Sequence, residues 1–564
     1  MEQPIYVLGT GLSHNGSAVL LKDGKVCVAI EKERITRIKH AGGNDNTAIQ
    51  YCLDTAGIQL SDLALVVQCA NFEIPDRERY HGQRLFAETT LPPLESISHH
   101  LAHAYSAAGT CSFGQCAIMV IDGCGSPAEQ CTDLKDGMIL PTDLSEQTTT
   151  QLWCEKDSFY LFDGQVVKAL IKDFSPIAEE VDTTLRMQTT EHSIGGFYAA
   201  MSHYVFGNLD DVGKLMGLAP YGRSEQFEVE AFRIEENRLF VRNEWKSTFT
   251  NPAKDYAAFK NNFQYYADVA FWAQQQVEWA VSRCFEMRLN QFPHEHVCYT
   301  GGVALNAVAN ARLLTDCVVK ELYMEPAAGD NGLALGCAFY GWLEVLKQPK
   351  VPHDGNTCFG KTYTDSIIKS ALSKIEHHWK VAQLEEDVLA KRVAELLASG
   401  KTIGWFQGGA EFGPRALGHR SILAHPGMDG LGDHINANIK FREDFRPFAP
   451  AVLPEFASTY FESGRKSPYM ILVDRTLPIY QETLKNVTHI NGTARVQTID
   501  RRWNERFYQL VTAFHQLTGI PVLLNTSFNK KGMPIVEQPE EAINLFEESA
   551  LDVLVMENFL IEKV

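Results

Sequence analysis

Short apolar runs that end in glycine-rich polar turns recur through residues 1–350. Ile5 to Leu8 runs into Gly9-Thr-Gly-Leu-Ser-His14-Asn-Gly16, and Cys116 to Ile121 runs into Asp122-Gly123-Cys124-Gly125. His296 to Tyr299 leads to Thr300-Gly301-Gly302, and Glu321 to Met324 leads to Pro326-Ala-Ala-Gly329-Asp330-Asn331-Gly332. Runs this short, bounded by glycine, read as buried strands delivering polar groups to turns. Ser17 to Leu21 and Val26 to Ile30, joined at Asp23-Gly24, form a hairpin signal. Helical patterns follow the turns, over 47–57, 264–290, to about 314 and to about 346. Strands alternating with helices predict an α/β architecture. The two halves of residues 1–350 share one strand, glycine-turn and polar-loop plan, as a duplicated fold would.

At 564 residues the chain is too long for one compact core. Residues 347–385 shift toward Lys, Pro, Asp and Gly and read as a linker, which predicts domains at 1–350 and 351–564. A formal net charge of −19 gives no overall field to draw in nucleic-acid phosphates. No apolar run approaches the roughly eighteen residues of a membrane span, and Met-Glu-Gln-Pro does not open a signal peptide. Thirteen cysteines without a CxxC pair fit reduced thiols, so a cytoplasmic protein is expected.

Within this frame, His99 and His103 stand at i, i+4 and share one helix face, while Asp122 ends the apolar run that follows. Two imidazoles and a carboxylate suit Fe(II), zinc or a similar divalent ion with positions left open for substrate. An ordinary histidine-rich helix shows the same spacing. Asp330, at a loop-to-helix junction, is a further candidate carboxylate or simply an N-cap. Gly301-Gly302 before a helix N-terminus is a ready anion site. Lys214 lies in a glycine-punctuated turn, Gly213-Lys214-Leu-Met-Gly217, from which it can reach a phosphate. His14 sits in the first turn, as a functional imidazole or a solvated loop residue. The dense charge run from Glu31 to His40 reads as a solvated face.

A second unit opens with an amphipathic helix over 387–399 and a strand over 402–406. Arg415, Arg420, Lys440, Arg442 and Arg446 follow among glycines and prolines. Positive charge concentrated against an acidic balance suggests a pocket for a small, highly charged anion. Arg495 precedes a helix over 504–518, and the strand 521–524 delivers Asn525-Thr-Ser527-Phe-Asn529.

These motifs, in this order, resemble the O-carbamoyltransferases of the NodU/CmcH/TobZ type: HNGSA, EKERITRIKH, HHLAHA, IDGCG, GKLMGLAPYG, TGGVALN, GDNG, EFGPRALGHRSIL, IKFREDFRPFAP, RVQT and LLNTSFN. The resemblance covers nearly the whole chain. It implies an actin/sugar-kinase/Hsp70-like (TsaD-like) duplicated ATPase domain, followed by a YrdC-like α/β domain. The KxR and SxN pairs of the latter correspond to Lys440-x-Arg442 and Ser527-x-Asn529. Val212 stands where many members carry glutamate, which leaves a carboxylate there open.

In this reading the YrdC-like domain cleaves carbamoyl phosphate and joins the carbamate to ATP, carried with Mg, giving carbamoyladenylate. Its binding residues are Arg415, Arg420, Lys440, Arg442, Arg446, Arg495, Ser527 and Asn529. In the TsaD-like domain His99, His103, Asp122 and Asp330 hold Fe(II) or another divalent metal. Gly123, Lys214, Gly217, Gly301, Gly302 and Asn306 bind the nucleotide, and His14 is the general base for a small-molecule alcohol acceptor. Carbamate decomposes in water, so a closed site and an internal passage are implied. No nucleic-acid or membrane partner is expected, and a homodimer is allowed. The rivals are a tRNA threonylcarbamoylation-type enzyme, which needs a basic face, and a nucleotide-gated binding module without turnover. The stretch 126–190 matches the family poorly and carries no assigned chemistry.

Overall fold

The computed structural model describes residues 3–43, 45–69, 92–134, 153–176, 192–317, 319–374 and 379–563. Two compact units emerge, one of Met1–Lys32 with Gly42–His353 and one of Glu33–Ala41 with Asp354–Val564.

In the first unit, β1 (Tyr6–Gly11), β2 (Ser17–Lys22) and β3 (Lys25–Glu31) form an antiparallel meander. β4 (Leu63–Cys69) and β5 (Leu94–Ile97) extend it in parallel on the other side of β1. The sheet order is β3-β2-β1-β4-β5. The next strands repeat this plan. β6 (Cys116–Ile121), β7 (Trp153–Phe162) and β8 (Val167–Pro176) form the meander. After a small hairpin of β9 (Phe232–Glu235) and β10 (Arg238–Val241), β11 (His296–Thr300) and β12 (Glu321–Met324) add in parallel beside β6. The order β12-β11-β6-β7-β8 is the first sheet over again, so the duplication extends to connectivity.

The helices His99–Thr110 and Leu333–Tyr340 pack on these sheets through small residues. A Cβ at Gly336 would overlap the carbonyl oxygen of Ala102, and one at Gly9 would meet the backbone of Ala334 and Ala338. A Cβ at Gly109 would run into the Phe339 ring. All three glycines therefore permit close packing.

Part of the stretch without assigned chemistry, 135–152 and 177–190, lies outside the described residues. The rest holds the β7–β8 hairpin, which buries charges in pairs. Lys172 contacts Glu155 and lies 2.7 Å from Asp133, and Arg288 lies 2.9 Å from Asp157. Buried charge is tolerated here because each group has an opposite partner.

In the second unit, eight strands form one sheet in the order β13-β22-β21-β14-β15-β20-β16-β19. They are β13 (Lys380–Gln383), β14 (Ile403–Phe406), β15 (Arg420–Ala424), β16 (Ala449–Val452), β19 (Gln497–Thr498), β20 (Val522–Ser527), β21 (Val553–Met556) and β22 (Phe559–Glu562). A separate ribbon pairs β17 (Val473–Arg475) with β18 (Thr493–Arg495). Alternate strand residues face opposite cores. Trp405, Leu423 and Leu523 pack with Leu389, Val393, Phe507 and Leu510, whereas Phe406, Ile422 and Leu524 pack with Ile368, Ile543 and Phe546. The sheet is thus covered by helices on both faces.

Two expectations are corrected. Residues 347–385 are not a linker: Lys350 bonds Cys111 and Phe113 of the first unit, and helix Asp365–Leu372 and β13 belong to the second. The charge run from Glu31 to His40 is a solvated face only in part, around the exposed Lys39. Arg34 is buried, with one guanidinium nitrogen donating to Gly413 O at 2.7 Å, and Arg37 donates to Pro534 O and Ile535 O. Long cationic side chains satisfying carbonyls are as hydrophilic in sequence as solvated ones.

Gly336→Ala should destabilise the protein by about 3 kcal/mol, the upper end of ordinary overpacking penalties, because backbone cannot yield as a side chain can; thermal melting measures it. Glu325 supplies a pH test. Burial raises its pKa from 4.5 to about 8, although the Ala327 amide works against the shift. Between those values the folded state holds a proton that the unfolded chain has released, so stability falls as pH rises. Glu325→Gln should therefore raise the melting temperature relative to wild type more at pH 8.5 than at pH 5.

Candidate active site

The histidine helix begins at His99, and its first two turns are wholly buried. His99 and His103 project from one face, and the ends of β6 and of the Gly329 loop bring Asp122 and Asp330 to meet them. His99 Nε2 lies 2.9 Å from Asp122 Oδ2, 3.2 Å from His103 Nε2 and 3.5 Å from Asp330 Oδ1. His103 Nε2 is 3.9 Å from Asp122 Oδ2. Ligand atoms held at about 2.0–2.2 Å from a divalent ion sit roughly 3 Å apart. The spacing therefore fits such an ion.

The charges fit as well. Among the described residues Asp122 is faced by His99, His103 and the amide of Gly302, but by no lysine or arginine. Burial opposes a charge on His99, yet Asp330 and Asp122 hold its pKa well above the ordinary range. Burial and the neighbouring His99 push His103 down to about 4, leaving it neutral with a lone pair to offer. One buried carboxylate, Asp122, and one half-buried, Asp330, with imidazoles as their nearest ionisable neighbours, are a donor set that suits a cation.

The turns around this set are tightly fitted. Gly302 N donates to Asp122 Oδ1 at 2.9 Å, and Gly301 takes φ +91° where a Cβ would strike Ile121. Ser193 Oγ donates to Gly123 O at 2.6 Å, and a Cβ on Gly195 would meet Gly123. Ser13, one residue before His14, donates to Asp330 Oδ2. His14 is half-exposed, with Nε2 3.5 Å from Asp210 Oδ1.

Lys214 Nζ lies 2.7 Å from Asp211 Oδ2, so Asp211 presents a carboxylate to the lysine that Val212 cannot. Asp210 and Asp211 were not singled out in the sequence, although two adjacent acids before the lysine were a visible signal. Gly217 is buried within the helix Val212–Leu218. Asn306 caps the helix Ala307–Asp316 by accepting from Ala309 N, and its amide donates to Gln274. Beneath the site, Glu155 Oε2 accepts from the amides of His100 and Ser126, tying the histidine helix to the buried charges of β7.

In the second unit a π-helical turn, Asn436–Lys440, carries Lys440 inward. Its buried ammonium donates to Ser527 O at 2.5 Å, Asn529 Oδ1 at 2.6 Å and Ser527 Oγ at 3.2 Å. Phe441 then adopts φ +50°, a conformation costly for a bulky side chain. Beyond it, Arg442 Nε donates to Asn436 Oδ1 at 2.7 Å and the guanidinium lies 4.5 Å from the Phe448 ring centre.

The cations repel one another. Burial, then Arg442, Arg446 and Lys39, drives the Lys440 pKa well below its ordinary range. Burial and Arg446 push Arg442 down to about 9 and Arg415 to about 10. Arg495 is lowered by burial and by Arg415, Arg442 and Arg446. Lys39, from the run read as solvated, thus joins the cluster unforeseen. Glu443, 3.8 Å from Arg446 and 2.7 Å from Lys531, offsets only part of this charge. Arg420 contributes to none of the shifts of Lys440, Arg415, Arg442 and Arg495. It is fully buried, donates to Gln407 O and Gly408 O, and lies over Phe406 at 3.5 Å, so its guanidinium is a scaffold element.

The family model described as Carbamoyltransferase N-terminus matches residues 7–77 and 73–339, and that described as Carbamoyltransferase C-terminus matches 394–563. An uncharacterized protein of Synechocystis sp. is 31% identical over 99% of this chain and 97% of its own length. Nodulation protein NolNO of Sinorhizobium fredii is 31% identical over 98% of this chain and 79% of its own. Among solved structures, that of T. kodakarensis HypF superposes with a TM-score of 0.35 at 14% identity, covering 61% of this chain and 49% of that one. No helix among the described residues is long and apolar enough to cross a membrane. With family models matched in both units and a relative aligned over nearly its whole length, this protein belongs to the carbamoyltransferases, enzymes that transfer a carbamoyl group.

Proposed function

We propose that the protein is an ATP-dependent O-carbamoyltransferase working in two half-reactions, one in each unit, on the hydroxyl of a small molecule. The observation that carries this reading is the cation cluster around the buried Lys440, whose half-buried arginines are offset only in part by Glu443. Such a cluster suits the joining of two anions, whose mutual repulsion it offsets. Its match to the KxR and SxN pairs supports reading the second unit as YrdC-like. The repeated sheet order of the first unit supports an ATPase domain of the actin/sugar-kinase/Hsp70 type.

In the second unit, carbamoyl phosphate loses its phosphate to water, and an oxygen of the resulting carbamate attacks the α-phosphorus of MgATP. Pyrophosphate leaves and carbamoyladenylate forms. Arg415, Arg442, Arg446 and Arg495 hold the phosphates, and Lys440 is kept in place by Ser527 and Asn529. Lys39 adds to the same field. In the first unit the acceptor hydroxyl attacks the carbamoyl carbon, its proton passes to His14 Nε2 or Nδ1, and AMP leaves. Asp210 stabilises the imidazolium that results.

His99, His103, Asp122 and Asp330 would hold Fe(II) or another divalent ion, which supplies Lewis acidity toward an adenylate phosphate oxygen. Gly123, Gly217, Gly301 and Gly302 line the nucleotide's approach. Lys214 and Asn306 reach it only by exchanging the partners described above.

Protein purified without chelator should contain about one divalent ion per chain at this site, and His103→Ala should lose it. Elemental analysis measures the content, and undiminished metal in the folded variant would refute the assignment.

The half-reactions should separate by mutation. With ATP, carbamoyl phosphate and an accepted alcohol, the products should be AMP and pyrophosphate rather than ADP. Arg442→Ala loses a charge-assisted contact of about 1.5–3 kcal/mol, so pyrophosphate release should fall at least tenfold while transfer from supplied carbamoyladenylate persists. His14→Asn should keep pyrophosphate release and lose transfer by about a hundred- to ten-thousandfold. Equal loss of both half-reactions in both variants would overturn the division of labour.

A further inference from the structure

Three thiols converge away from the catalytic groups. Cys111 follows the last residue of the histidine helix, Cys116 opens β6 and Cys298 lies within β11. All three are buried. Cys298 Sγ is 3.5 Å from Cys116 Sγ, and the three sulfur atoms all lie within 4.8 Å of one another. Lys350 Nζ stands 3.3 Å from Cys111 Sγ and is fixed there by Cys111 O and Phe113 O, each at 2.8 Å. Carbamoyl transfer as derived above uses none of these groups.

We infer that Cys111, Cys116 and Cys298 form a thiolate site for a thiophilic divalent cation of the zinc class, with Lys350 as its counter-charge. Donor chemistry selects the ion class: three sulfurs and no carboxylate suit a soft or borderline cation and not magnesium or calcium. With metal–sulfur bonds of about 2.3 Å, ligand sulfurs sit about 4 Å apart, close to the observed spacing. Charge selects the oxidation state. Three thiolates and a divalent ion carry −1, which the Lys350 ammonium cancels, and a neutral group is the one tolerated in a buried setting.

Access is short. Ser112 to Gln115, the loop between two of the cysteines, borders an open groove of about 1380 Å³ that also presents Glu286, Asp316 and Glu321. An ion entering from this groove would reach the thiols past that loop, and each thiol that ligates yields its proton to solvent. The bound ion would clip the end of the histidine helix to β6 and β11. Those strands deliver Asp122 and Gly301-Gly302, so the clip would stiffen the frame of the catalytic site without touching substrate.

The test uses full-length protein stripped with chelator and titrated with cadmium as the probe. The expected result is a thiolate-to-cadmium charge-transfer absorption that saturates within two equivalents, because the proposed catalytic site also takes the ion, with a rise in melting temperature. It should persist in His103→Ala, which separates this site from the proposed catalytic metal, and should fall by more than half in Cys298→Ala. Because a buried cysteine variant can fold poorly, cadmium NMR of the wild-type protein gives a second readout, with a resonance in the sulfur-ligated range. Absence of the charge-transfer band, a cadmium resonance confined to the oxygen and nitrogen range, or an unchanged band in folded Cys298→Ala would each overturn the inference.

Discussion

The close approach of the helices His99–Thr110 and Leu333–Tyr340 decides where the first unit's chemistry can sit. Gly336 faces the Ala102 carbonyl and Gly109 faces Phe339, each without room for a Cβ. At this separation the loop that opens the second helix places Asp330 against His99. Gly9 lets β1 join the same packing, so Ser13 arrives beside Asp330 from the opposite side. A side chain at any of these glycines would move His99, Asp330 or Ser13 relative to the others. The spacing of imidazoles and carboxylates is thus a consequence of helix packing before it is a property of those side chains.

Below this layer the β7–β8 hairpin takes an electrostatic role. Glu155 accepts from the first turn of the histidine helix while Lys172 neutralises it, and Lys172 is shared with Asp133. A buried network of this kind is stable only when every member is paired. It ties the first turn of the helix to β7.

The two units meet opposite electrostatic problems. In the first, the buried Asp122 and the half-buried Asp330 face imidazoles. In the second, a lysine and several arginines stand close enough to depress one another, with Glu443 as partial relief. Like charges brought together away from water are costly, and each arrangement favours a neighbour of opposite charge. An acidic chain can therefore carry a strongly anion-seeking pocket, because the field that matters is local.

Local sequence carried much of this. Apolar runs closed by glycine marked strands of both sheets, and the i, i+4 spacing fixed His99 and His103 to one helix face, because both signals depend on near neighbours alone. Lys440 and Arg442 stood out as cations among loop residues in an acidic chain. Tertiary structure decided the rest. Whether Arg34 reaches water or a backbone carbonyl depends on Gly413, far away in the chain, and hydrophilicity is the same in both cases. Asp210 and Asp211 became partners of His14 and Lys214, and Lys39 joined the Lys440 cluster, only through folding. Residues 347–385 resembled a linker because composition reports polarity, whereas a helix, a strand and an anchored lysine there are stabilised by contacts with residues that no local window contains.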